Sequence, residues 1–188
     1  MNQRKMTIFR VMTRLMTLSM VLLLFGCPQK IAANNYAVKR VSDGDTLVAI
    51  DSAGKDIKVR FACVDAPEVA HTNAEKNSKT AALKNQFKWG NLAQQRTQQL
   101  VKQGGDRVVL TVTDTDRYGR QISEVRLPNG TFVQEVLTSE GLAMVYRPYL
   151  KNCPSASILE QAEAAAKKNR RGVWGDSKFV PAWDFRKK

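Results

Sequence analysis

From residue 36 onward the chain sets apolar against polar positions in short alternating runs broken by turn residues, the pattern of half-buried strands. Tyr36–Val41 and Thr46–Ile50 flank the turn Ser42-Asp43-Gly44-Asp45. A second turn, Asp51-Ser52-Ala53-Gly54, leads into Ile57–Val64, where Ile57, Val59, Phe61 and Cys63 share one face. These runs predict a three-stranded meander. Residues 69–79 are polar and unpatterned, and read as an exposed loop. From Ser78 to Gln103 the period becomes helical: Leu83 and Phe87 are four apart, Trp89, Leu92, Ala93, Arg96 and Leu100 continue the stripe, and Gly104-Gly105 ends it. Val108–Val112 and Ile122–Leu127 then read as two further strands around Asp116-Arg117-Tyr118-Gly119-Arg120. Pro128-Asn129-Gly130 turns into a short helix, with Thr131 and Gln134 as its expected capping box and Gly141 at its end. A last helix is expected from Ser157, with Glu160 three residues on, to Gly172.

Five short strands, with a helix after the third and more helices later, are compatible with an α+β, β-rich chain. The expected architecture is a five-stranded OB-fold barrel with about three helices, a type that often binds oligonucleotides. The expected organisation is a leader over 1–27, a polar linker over 28–35, the barrel domain over 36–176 and a C-terminal tail over 177–188.

The front end changes the picture of where this domain works. Residues 1–14 carry Arg4, Lys5, Arg10 and Arg14 without an acid, residues 15–25 are almost wholly apolar, and Gly26-Cys27 follows. That order is a bacterial-type signal peptide, with an apolar run shorter than the roughly 20 residues a membrane span needs. Leu24-Phe25-Gly26-Cys27 also resembles a lipobox, in which Cys27 is lipidated and tethers the chain to a membrane. Release after a site such as Ala32-Ala33, or an uncleaved anchor, are the alternatives. All three place the domain outside the cytoplasm. There, with Cys27 carrying lipid, Cys63 and Cys153 remain as a candidate disulfide, the alternative being two separate buried thiols.

Composition narrows the chemistry. The net charge is +13, from 30 Lys and Arg against 17 Asp and Glu, and only four of those bases lie in the leader. Such an excess suits a polyanionic partner, nucleic acid or a membrane surface. A single histidine, His71, excludes any site needing a His pair, and it reads as a surface loop residue. Trp89 and Trp174 read as core, and the basic run over 167–171 as a solvated helix end.

Three clusters carry candidate chemistry. Asp43-Gly44-Asp45-Thr46 offers two carboxylates, which suit a hard cation as well as a plain hairpin turn. In Arg60-Phe61-Ala62-Cys63-Val64-Asp65-Ala66-Pro67-Glu68, a charged strand ends in two acids held by a proline, or is simply a polar edge with an acidic exit. Asp116-Arg117-Tyr118-Gly119-Arg120 presents two guanidiniums and a ring, for phosphate and base or as a solvated hairpin tip.

In that order, and joined by Gly141-Leu142-Ala143, Tyr146 and the closing Gly172-Val173-Trp174, the motifs resemble the staphylococcal nuclease (thermonuclease) family over about Val38 to Trp174. The resemblance implies calcium held by Asp45, Asp65 and the main-chain carbonyl of Ala66, with Asp43 supporting the metal through water. It implies Glu68 as general base and Arg60 and Arg120 as phosphate-binding arginines. Tyr118 and Tyr146 match nucleotide-contacting tyrosines, with Tyr149 nearby at a different spacing. The loop from Glu68 to the helix at Trp89-Gly90 is about ten residues longer than the family's. The expected activity is a calcium-dependent endonuclease acting on DNA and RNA, single strands preferred, leaving 3′-phosphates. The rival is an inactive OB-fold module that only binds nucleic acid. A barrel that closes its own core implies a monomer with no obligate protein partner.

Overall fold

The computed structural model describes residues 35–187; the leader, Cys27 and nearly all of the linker lie outside the described residues. Strands β1 (Asn35–Val41), β2 (Thr46–Ile50) and β3 (Asp56–Phe61) form the expected meander. A two-residue strand, β4 (Val64–Asp65), follows, then short helix α1 (Asn73–Lys76) and long helix α2 (Ala81–Gln103). Strands β5 (Arg107–Thr115) and β6 (Gln121–Arg126) make the second hairpin. Helix α3 (Val133–Ser139), strand β7 (Met144–Val145), helix α4 (Ala156–Lys168) and helix α5 (Ala182–Phe185) complete the chain, with 3-10 turns at Arg147–Asn152 and Gly172–Gly175.

Five strands close a barrel in the order β1-β2-β3-β6-β5, with β1 pairing both β2 and β5. All neighbours are antiparallel except β3 and β6, which run parallel with Val59 opposite Gln121. A parallel pair needs a long crossover, and α2 lies in that connection. Its apolar stripe seals the barrel: Phe87, Gly90, Ala93, Thr97, Leu100 and Val101 are buried at helical spacing. Leu47, Val59, Phe61, Val108 and Val125 fill the interior. Helices α3 and α4 pack on each other through fully buried Leu137 and Leu159. Among the described residues, no helix is long and apolar enough to cross a membrane.

The barrel and three helices of seven residues or more match the expected class; the two remaining helices are four-residue turns. One of them, α1, lies in the segment expected as loop, started by a capping box in which Thr72 and Glu75 exchange hydrogen bonds. The capping box expected of Thr131 and Gln134 does not form. Gln134 is buried, where its Oε1 accepts from Val125 N (3.0 Å) and its Nε2 donates to Ser123 O (2.9 Å), serving a strand instead of a cap. Helix α4 begins one residue before Ser157, behind Ser155, and Glu160 faces Arg147. Trp89 and Trp174 are half-buried, not core: Trp89 Nε1 donates to Asp176 Oδ2 (2.8 Å), and Lys167 Nζ lies 4.4 Å from the Trp174 ring. His71 is exposed.

Cys63 and Cys153 are joined in a disulfide, with Cα atoms 6.3 Å apart across 90 residues of sequence. Cys63 adopts φ 60°, a left-handed conformation that side-chain-bearing residues use sparingly. It makes the corner between β3 and β4. Tyr146 N donates to the Cys63 carbonyl (2.9 Å), and β4 pairs with β7, Asp65 opposite Met144. The exit carrying the acidic residues is thereby pinned from both sides.

Candidate functional site

The acidic turn between β1 and β2 is seated on α2. The Gly44 carbonyl accepts from Thr97 Oγ1 (2.8 Å), and the Ser42 carbonyl from Gln94 Nε2 (2.7 Å). A Cβ built at Gly44 would stand 2.6 Å from the Cβ of Ala93 and 2.7 Å from that of Ala66, so only glycine permits this approach. Asp43 Oδ1 accepts from Asp45 N (3.0 Å) and closes the turn. Burial pushes the Asp43 carboxyl above its ordinary range, against the pull of the Arg60 guanidinium and of hydrogen bonds from Thr46.

Asp45 itself is 2% exposed, and its Oδ2 accepts from Ala66 N (2.5 Å). The turn is therefore stitched directly to the β4 exit. Asp65, also 2% exposed, lies beside it. Arg60, the penultimate residue of β3 and paired with Thr46 across the β2–β3 ladder, reaches both acids. It forms an ion pair with Asp45 Oδ1 and another with Asp65 Oδ1 at 2.5 Å. Two carboxylates this deeply buried need such compensation, since desolvating a charge costs several kcal/mol. Glu68 follows Pro67 at the rim. A Cβ at Gly90 would overlap the Glu68 carbonyl, so this glycine lets α2 run directly under the Glu68 backbone.

The β5–β6 hairpin brings in the third cluster. Asp116 accepts from Tyr118 N (2.9 Å), Arg120 N (2.9 Å) and Arg120 Nε (2.7 Å). Partial burial pushes its carboxyl up, but the hydrogen bonds from Arg120 and Tyr118 outweigh this and hold it below the usual range. Tyr118 is 66% exposed, with the guanidiniums of Arg117 and Arg120 4.9 and 5.8 Å from its ring. Opposite stands an aromatic wall, in which Tyr146 has Tyr149 at 5.6 Å and Trp183 at 5.7 Å.

Two adjoining depressions result. One, of about 620 Å³, is bounded by Arg60, Asp65, Arg117, Tyr118, Arg120, Tyr146 and Tyr149. The other is bounded by Asp43, Asp45, Ala66 and Glu68, and shares Arg60, Arg117, Tyr118 and Arg120 with the first. The structure thus brings together every residue singled out for metal, catalysis or substrate between Asp43 and Tyr149, and Cys63 also borders the larger depression. Cys27 lies outside the described residues.

Sequence reasoning missed three contributors. Arg186 borders both depressions, Trp183 extends the aromatic wall, and Gln86 is buried beneath Glu68. The spacing of Ala182, Trp183 and Phe185 was a usable signal, because apolar and aromatic residues crowded at a chain end mark a docked segment. For Gln86 there was no such signal.

Among the described residues, no three side chains of the His, Cys, Asp and Glu types converge as a metal cage. The donor set on offer is two buried carboxylates, Asp45 and Asp65, with the main-chain carbonyl of Ala66 beside them. An all-oxygen set of this kind fits a hard cation that keeps further positions for water or phosphate.

Comparison with known proteins places this geometry. Residues 58–176 match the family model described as staphylococcal nuclease homologue. An uncharacterized endonuclease of Escherichia coli O157:H7 is 30% identical over 167 residues, covering 89% of this chain and 94% of the relative. The thermonuclease of Staphylococcus intermedius is 33% identical, covering 77% and 78%. The micrococcal nuclease of Shigella flexneri is 29% identical, covering 80% and 79%. With barrel, groove and sequence in agreement, the chain belongs to the staphylococcal nuclease family.

Proposed function

We propose that this protein is a calcium-dependent endonuclease that hydrolyses DNA and RNA to 3′-phosphate products, preferring single strands. The observation that carries the reading is convergence. Three segments far apart in sequence place Asp45, Asp65, Glu68, Arg60 and Arg120 around one groove whose far wall is aromatic. A module that only binds nucleic acid has no use for Glu68.

Asp45, Asp65 and the Ala66 carbonyl would hold the ion, whose charge supplies polarisation of a phosphoryl oxygen when bound. Glu68, at the rim where water enters, takes the proton of the attacking water. The resulting hydroxide oxygen bonds to phosphorus as the phosphorus–O5′ bond breaks, and O5′ takes a proton from solvent water, leaving a 3′-phosphate and a 5′-hydroxyl. Arg60 and Arg120 neutralise the charge that builds on the phosphoryl oxygens; Arg120, bonded to Asp116 through Nε, has both Nη groups to offer them. Asp116 fixes the Arg120 guanidinium in advance, which lowers the ordering cost. Tyr118, Tyr146 and Tyr149 stack bases without reading their edges, which favours unpaired strands and tolerates either sugar.

The leader pattern supports export, with Cys27 lipidated and the domain held in the cell envelope as a monomer. The disulfide between Cys63 and Cys153 agrees with an oxidising compartment.

The test is cleavage of labelled single-stranded DNA, duplex DNA and RNA in millimolar calcium and again with a chelator. Calcium-dependent cutting, fastest on single strands and ending in 3′-phosphates, is expected. Binding without cutting at every calcium concentration would replace the enzyme with the binding module. Mass analysis of the N-terminal peptide from a membrane fraction reads out the lipid on Cys27.

A further inference from the structure

The chain beyond Asp176 is built into the groove. Ala182 is buried, Phe185 meets Phe87 edge-on at 6.4 Å, and Trp183 packs on Tyr146. In the amide orientation that satisfies both neighbours, Gln86 donates to the Val180 carbonyl (3.0 Å) and accepts from Glu68 N (3.1 Å). One buried side chain on α2 therefore ties the C-terminal segment to the backbone of Glu68. Arg186 completes the connection. Its Nη1 donates to Glu68 Oε1, and its Nη2 to Asp65 Oδ2 at 2.8 Å, while Asp65 Oδ1 is already engaged by Arg60.

We propose that Arg186 is a positioning residue for phosphodiester hydrolysis, its two nitrogens clamping the carboxylate of Glu68 to that of Asp65. The inference rests on the nuclease reading above. Glu68 sits on a loop at the rim, and among the described residues Arg186 is the one side chain that hydrogen-bonds its carboxylate. Without the clamp a glutamate regains its rotamers and holds the attack geometry for a fraction of the time. Lysine cannot replace it, because a single ammonium lacks the rigid fork that spans two separate carboxylates. Arg186 acts through Glu68 and leaves the stacking wall and Arg120 untouched, so its effect belongs to turnover and not to substrate affinity.

The experiment is steady-state cleavage of a single-stranded oligonucleotide by the wild-type chain, R186A, R186K and K187A at fixed salt, with melting temperatures alongside. Lys187 pairs with Asp184 at the surface and controls for the loss of one positive charge. R186A is expected to lose about 10- to 100-fold in kcat with KM within about twofold, the scale of a slightly misplaced catalytic group. R186K should recover little of that, and K187A should match wild type. If R186A does not fold, R186K carries the same test with the charge retained. A wild-type kcat in R186A or R186K, equal losses in R186A and K187A, or turnover above wild type would overturn the clamp. The last result would mean that the segment obstructs the site. A wild-type chain that never cuts brings down the nuclease reading and the clamp with it; one that cuts as fast without Arg186 removes the clamp alone.

Discussion

The protein buries carboxylates in two places and treats them differently. Behind the barrel, Glu124 accepts from Ser155 N (2.7 Å) and Ser155 Oγ (2.8 Å), fastening β6 to the start of α4. Glu163 on α4 accepts from Val145 N (2.9 Å), Arg147 Nη2 (2.6 Å) and Lys167 Nζ (2.8 Å), fastening β7. Each spends an oxygen on a main-chain amide that folding must satisfy anyway. In the groove, Asp65 and Glu68 face the guanidiniums of Arg60 and Arg186, side chains at the edge of an open depression. The first pair is committed to the fold. The second gives its oxygens to guanidiniums that border the depressions and, among the described residues, to no main-chain amide. Burial and charge alone do not separate the two pairs; the donors they face do, while buried Asp45 combines both kinds, accepting from Ala66 N as well as pairing with Arg60.

The largest effect that would test this contrast is Glu68→Gln. Turnover on single-stranded DNA should fall by roughly 10²- to 10⁴-fold, the usual worth of a positioned base, with oligonucleotide affinity and melting temperature close to wild type. A variant that keeps its rate would place the base elsewhere. Glu163→Ala should do the reverse. It leaves the buried Val145 amide without its acceptor, whereas the exposed Arg147 keeps Glu160; this costs about 1–3 kcal/mol in a denaturant titration, while the rate per folded molecule holds. Loss of rate without loss of stability would erase the distinction between the two regions.

The smallest effect concerns Asp176, an acid joining α2 to the last 3-10 turn. Its Oδ2 accepts from Trp89 Nε1 (2.8 Å) and Asn85 Nδ2 (2.9 Å), and Oδ1 from Lys178 N. The Trp89 bond first, then those from Asn85 and Lys178, hold this carboxyl below its ordinary range. Because the folded value lies below the unfolded one, its stabilisation is present above the unfolded pKa and fades as pH falls through the folded one. Asp176→Asn should lose about 1 kcal/mol at neutral pH, the worth of a hydrogen bond, and the gap to wild type should close on acidification below pH ~4. A gap independent of pH would show that the charge contributes nothing.

Much of the molecule was legible in the chain because its signals are local. A short apolar run marks Thr46–Ile50 as a strand and period-2 alternation marks Asp56–Phe61, helical spacing marks α2, and turn chemistry locates Asp43-Gly44-Asp45. The ordered acids and arginines identified the family for the same reason, since spacing along a chain survives without coordinates. Gln134 shows where this fails. Its position after Thr131 suggested a helix cap, but a buried strand edge offered it a donor and an acceptor at once, and that demand prevailed.

What the sequence determined by itself was the class of barrel and the identity of the acids and arginines. These follow from side-chain chemistry and near-neighbour periodicity. Only the tertiary structure decided that Arg60 spans Asp45 and Asp65, that α2 lies close enough under Gly44 and Glu68 to demand glycines, and that the last residues return to the groove. Those outcomes depend on contacts across tens of residues, and reach their extreme in the sequence separation of 121 from Asp65 to Arg186. No local pattern encodes such contacts, because the free energy that fixes them is the burial of distant surfaces against one another.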